Sequence, residues 1–188
     1  MDTIFLITIL VVIFALAFDF INGFHDTANA IATSVSTRAL KPRVAVLMAA
    51  IMNFVGALTF VGVAKAIASN IVDPMSLNAF DGDVTGSVVI LAALCSAITW
   101  NLLTWYYGIP SSSSHTLIGS LAGAAIGAAG FSILNYDGFL NILAALIISP
   151  ILALTVGFIV MSLFKIFFRN LGLYKTNSRF RLVQILTA

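Results

Sequence analysis

The chain has 188 residues, of which 61% are hydrophobic and 9% charged, with a formal net charge of +2 and a mean hydropathy of +1.10. An ordinary globular domain carries about 25% charged residues, so this chain cannot cover a water-facing surface, and the bilayer must solvate most of it. The same figures exclude disorder, and so small a net charge excludes a broad nucleic-acid surface.

Ile4 to Phe18 is almost continuously apolar. Asp2 stands where a signal peptide would carry positive charge, and no cleavage-like stretch follows, so this reads as a retained membrane helix. A polar, small-residue segment from Asp19 to Ala30 follows, predicting a helix that loosens at Gly23 and resumes to about Thr37. Arg38, Lys41 and Arg43 form a basic loop punctuated by Pro42. Val44 to Ala68 reads as a second span, with Asn53 near its middle and Lys65 near its end. The loop from Ser69 to Asp83 is acidic, carrying Asp73, Asp81 and Asp83.

Val84 to Tyr107 is a third span, closing in Trp100, Trp105, Tyr106 and Tyr107, which suit a membrane interface. Gly108 to Pro110 predicts a second break, followed by Ser111–Thr116 and a small-residue run to Gly130. Phe139 to Phe168 holds a last span, with a kink expected at Pro150. The lone Cys95 can form no intrachain disulfide.

The basic loop and the tail (Lys165, Arg169, Lys175, Arg179, Arg181) should be cytoplasmic and the acidic loop outside. One arrangement meets these conditions: N-terminus outside, five crossings and a cytoplasmic tail. Ser111–Gly130 then has to cross, alone or with its neighbours. An odd number of crossings means that a second copy of the unit would insert upside down, the logic of an inverted-repeat transporter. The expected fold is therefore an all-α polytopic membrane protein of about five crossings with two broken or re-entrant segments. It would be one half of an inverted-repeat carrier, in a multi-pass cell (inner) membrane location.

Asp19, Asn22, Asp26, Asn29 and Thr33 are spaced by 3, 4, 3 and 4 residues and fall on one helix face. A carboxylate near the bilayer centre is costly, so such a stripe must face protein, water or an ion. It either hydrogen-bonds a neighbouring helix or binds a ligand; Asn53 fits an interhelical bond. In the second break, Pro110 and four serines fit a helix N-terminus, where unpaired N–H groups and hydroxyls suit an anion. His115 reads either as a proton carrier or as a satisfied polar neighbour. Gly119, Gly123 and Gly127 predict a close helix contact. An oxyanion that keeps a proton matches both breaks: its charged oxygens meet hydroxyls and N–H groups, and its P–OH donates to Asp26. The same carboxylate equally suits a coupling proton or a metal ion, and the sequence does not choose between these.

Phe20-Ile-Asn-Gly-Phe-His-Asp-Thr-Ala-Asn-Ala-Ile-Ala-Thr33 resembles the signature of the inorganic phosphate transporter (PiT) family. Trp105-Tyr-Tyr-Gly-Ile-Pro-Ser-Ser-Ser-Ser-His-Thr-Leu-Ile-Gly119 resembles its second hallmark. The whole chain is similar to the N-terminal half of such a protein, most of all to the bacterial low-affinity, proton-coupled members. The resemblance implies a carrier of inorganic phosphate, in the bacterial type often as a neutral divalent metal–phosphate complex. It implies phosphate contacts at Asp26, Asn29, Ser113, Ser114 and Thr116. Asn22, His25, Thr33, Ser112 and His115 are coupling-ion or supporting candidates.

Phe24-His25 stands where many relatives have Ala-Asn, and Asn53 where some sodium-coupled relatives have glutamate; both favour a proton over sodium. No resident metal or cofactor and no enzymatic activity are expected. Residues 1–178 would form the transmembrane repeat and 179–188 the start of a second one, so a complementary C-terminal half or a second copy is the expected partner. The alternatives are a non-transporting fragment or assembly subunit that needs that half, and an intramembrane serine hydrolase built on Ser111 and His115. The hydrolase lacks a Gly-x-Ser-x-Gly elbow.

Overall fold

A computed structural model describes residues 3–59, 71 and 84–168. The expected features at Lys65, Asp73, Asp81, Asp83, the basic tail from Arg169 and the boundary at 178/179 lie outside the described residues. Among the described residues the regular elements are all helical: α1 (Thr3–Ser36), α2 (Pro42–Thr59), α3 (Val84–Tyr106), α4 (Ser113–Ala129), a 3-10 turn (Phe131–Ile133) and α5 (Tyr136–Phe168). Among the described residues, α1, α2, α3 and α5 are long and apolar enough to cross a membrane. The protein is an all-α, multi-pass membrane protein.

The chain divides into two compact units, Met1–Asp26 with Phe60–Leu143, and Thr27–Thr59 with Ala144–Ala188. In the first, Phe18, Leu94 and Ala97 form a buried cluster, flanked by Val11, Phe14, Ala15, Ile98 and Leu117. α3 and α4 pack against each other as a helical hairpin. In the second unit, Ala39 and Ala45 are buried, and the turn after α1 is closed by Leu40 N–H donating to Ser34 O at 3.1 Å.

The interruption expected at Gly23 is absent, because α1 is a single helix of 34 residues. Glycine in a helix interior costs only about 1 kcal/mol relative to alanine. Opening the backbone hydrogen bonds of an apolar helix costs more, so the helix runs on. At about 1.5 Å per residue α1 is roughly 51 Å long, beyond a hydrocarbon core of about 30 Å.

The second interruption is present. Gly108 has φ +64°, a left-handed conformation that ends α3, and its N–H donates to Trp105 O at 3.1 Å. Pro110 lies ahead of the next helix, not within it: Ser112 is the N-cap of α4 and Ser113 its first residue. α4 has 17 residues, about 25 Å, short of a hydrocarbon core on its own.

Among the described residues, Gly119, Gly123 and Gly127 do not provide the close contact expected of them, since an added Cβ would meet nothing within 4 Å at any of the three. α4 instead buries Ile118, Ala122 and Ala125, spaced i, i+4, i+7 on another face.

Several hydroxyls within the apolar helices bond to their own backbone. Thr8, Thr59, Thr99, Thr155 and Ser162 each donate to the carbonyl four residues back at 2.7–2.8 Å. α5 continues through Pro150, which has no N–H to offer Leu146 O, and the Ser149 hydroxyl turns to that carbonyl at 3.5 Å. Asn135 starts α5: its Oδ1 accepts from Gly138 N–H at 3.2 Å.

Candidate substrate site at the head of helix α4

The α3–α4 turn brings the serine cluster to α1. Ser113 Oγ donates to Asp26 Oδ2 at 2.8 Å, joining residues 87 apart in sequence. The other oxygen, Asp26 Oδ1, lies 3.5 Å from His25 Nδ1. The Asp26 side chain stays 45% exposed while His25 is 9% exposed. The carboxylate is therefore held by one hydroxyl and open to a ligand on its free side. Ser113 itself is buried.

Ser112 organises the helix start. Its Oγ accepts from His115 N–H at 3.4 Å and lies 2.7 Å from His115 Nδ1. Its carbonyl accepts from Thr116 N–H and Thr116 Oγ, each at 3.0 Å. The N–H groups of Ser113 and Ser114 precede the first intrahelical bond and have no intrahelical acceptor. Ser114 is exposed beside them. Two adjacent N–H groups at the positive end of a helix dipole, with hydroxyls alongside, favour an anion. On the α3–α4 hairpin a groove of about 590 Å³ opens beside this helix start, lined by Ser96, Trp100, Ser112, His115, Thr116 and Ser120 among others.

The structure thus brings together Asp26, His25, Ser112, Ser113, His115 and Thr116. Asn22 sits one turn before Asp26 on α1, half-buried. Asn29 and Thr33 are exposed on the part of α1 that belongs to the second unit, as is Asn53 on α2. Asp19 is exposed. The proximity expected of Ser111 and His115 is taken by Ser112 instead.

Sequence reasoning passed over Asn101, which is 1% exposed with no partner for either side-chain polar atom among the described residues. The signal was available: like Asn53, it is an isolated amide within an apolar span.

Residues 22–188 match the model of the phosphate transporter family, PHO4. The chain belongs to the phosphate transporter family. It is 65% identical over all 188 residues to a probable low-affinity inorganic phosphate transporter of Bacillus subtilis (strain 168), of which it covers 55%. It is 40% identical to a protein of the same description from Streptomyces halstedii over 97% of this chain and 82% of that protein. Among solved structures, one titled "The sodium-dependent phosphate transporter" superposes with a TM-score of 0.78 at 30% identity, covering 85% of this chain and 39% of the other. The chain therefore spans about half the length of the Bacillus relative, matching the N-terminal half expected from the two motifs.

Proposed function

We propose that this chain forms the N-terminal half of a carrier that moves inorganic phosphate across the cell (inner) membrane, and that Asp26 and the head of α4 hold the substrate. One observation carries the reading: the Ser113–Asp26 hydrogen bond at 2.8 Å places an accessible carboxylate at an open helix N-terminus. The N–H groups of Ser113 and Ser114 and the Ser114 hydroxyl meet the charged oxygens of phosphate. A P–OH donates to Asp26. Sulfate at neutral pH has no such proton and would set a bare anion against a carboxylate, so the pairing selects phosphate.

Thr116 completes the phosphate set in this reading, with Asn22, His25, Ser112 and His115 supporting the site or the coupling ion. The coupling ion is a proton, and the substrate can arrive as a divalent metal–phosphate complex. The basic loop holding Arg38, Lys41 and Arg43 sets the N-terminus outside. Alternating access then needs a complementary half of inverted topology. Hydrolase chemistry is disfavoured, because the Ser112 hydroxyl beside His115 already serves as the cap of α4.

The test is uptake of radiolabelled phosphate into proteoliposomes holding this chain with the C-terminal half of the Bacillus subtilis relative. Asp26→Asn should reduce uptake at least tenfold, consistent with about 1.5–3 kcal/mol for a hydrogen bond to a charged group. Ser113→Ala should act in the same direction. Uptake unchanged in both variants overturns the site.

A further inference from the structure

Asn101 has no role in the site described above, yet it is among the most buried polar residues among those described, at 1% exposure. Among the described residues, neither its Oδ1 nor its Nδ2 has a hydrogen-bond partner, and Asn22 Oδ1 is likewise buried and unpartnered. Native interiors satisfy such atoms with protein or with ordered water.

The packing around them sets their level. Phe18 of α1 packs with Leu94 and Ala97 of α3. Further along, the Phe24 ring meets Trp105 edge-on, with centroids 5.6 Å apart. The first part of α1 and α3 therefore run in the same direction. Four residues beyond Phe18 lies Asn22, and four beyond Ala97 lies Asn101. Four residues advance both helices by about the same 6 Å. The two amides thus occupy one level, between the apolar cluster at Phe18 and the Asp26–Ser113 bond.

The unmatched atoms identify the ligand. There are two acceptors, Asn22 Oδ1 and Asn101 Oδ1, and one donor group, Asn101 Nδ2. A bare cation would satisfy the oxygens and oppose the amide N–H. A bare anion would do the reverse. A small neutral group that donates twice and accepts once satisfies all three, and a buried water typically makes about three hydrogen bonds.

We propose that Asn22 and Asn101 jointly hold one buried water that ties α1 to α3 one turn before Asp26. This site does not depend on the phosphate reading, and its test needs no substrate.

A double-mutant cycle on the melting temperature of the purified chain in lipid nanodiscs tests it, with Asn22→Leu, Asn101→Leu and the pair. With a shared water, each single variant strands the other amide, so the double variant should melt no lower than the worse single one. Additive losses overturn the proposal. Should Asn101→Leu fail to fold, density for the unaltered chain decides. One oxygen-sized peak within hydrogen-bond distance of both amides is expected. A direct amide–amide contact or no peak overturns the proposal. Melting is also compared in sodium and in choline. Equal values are expected, whereas a sodium-dependent rise lost in Asn101→Leu or, if that variant does not fold, in Asn22→Leu would replace the water by a cation.

Discussion

The two polar segments of this chain look alike in sequence and fold differently. Asp19–Thr33 and Gly108–Thr116 both interrupt apolar runs with glycine and hydrogen-bonding residues. The first stays helical throughout, within α1. The second ends one helix at a left-handed glycine and starts another at a serine cap. Glycine alone is a small perturbation in an apolar helix. A glycine at positive φ, followed by a proline and a capping hydroxyl, supplies the end of one helix and the beginning of the next. Polarity in a span therefore marks a site without saying whether the backbone opens there.

Substitutions at these two segments would break or sharpen the contrast. Gly23→Pro should have the largest effect, a loss of about 3 kcal/mol, because it removes a hydrogen bond inside a continuous helix. The thermal melt of the purified chain reads it, and tolerance of proline there would mean that α1 is open at this point. Gly108→Ala should cost about 1–2 kcal/mol by the same measure, since φ +64° is unfavourable for an L side chain even though its Cβ would meet no neighbour.

Ser112→Ala should cost about 1 kcal/mol, the usual value for a lost N-cap, and Ser112→Asn should restore most of it. Gly23→Ala should have the smallest effect and the opposite sign, a gain of up to about 1 kcal/mol. An added Cβ meets nothing within 4 Å there, and alanine suits a helix interior better. A loss at Gly23→Ala would show that α1 needs the glycine to bend.

Much of this was readable from residue order. The apolar runs placed every described span, and Pro110 with the serines before Thr116 marked a helix start, while which serine caps it was decided by the fold. Spacing put Asn22 and Asp26 on one face of α1. The glycine stripe of α4 was misread because a small-residue face permits a close neighbour without supplying one, and here alanines on another face are buried. Asn101 was missed because hydropathy registers an amide in a span as a single weak interruption. Its burial depends on which helices surround it.

Composition alone required a membrane, since 9% charged residues cannot clothe a fold in water. The two motifs named the family, because their side chains are contiguous in sequence. The meeting of Asp26 with Ser113, the pairing of Ser112 with His115 and the isolation of Asn101 emerged only on folding. Each depends on helix direction and rotation, set by long-range packing such as Phe18 against Leu94 and Ala97, and local spacing carries no information about that packing.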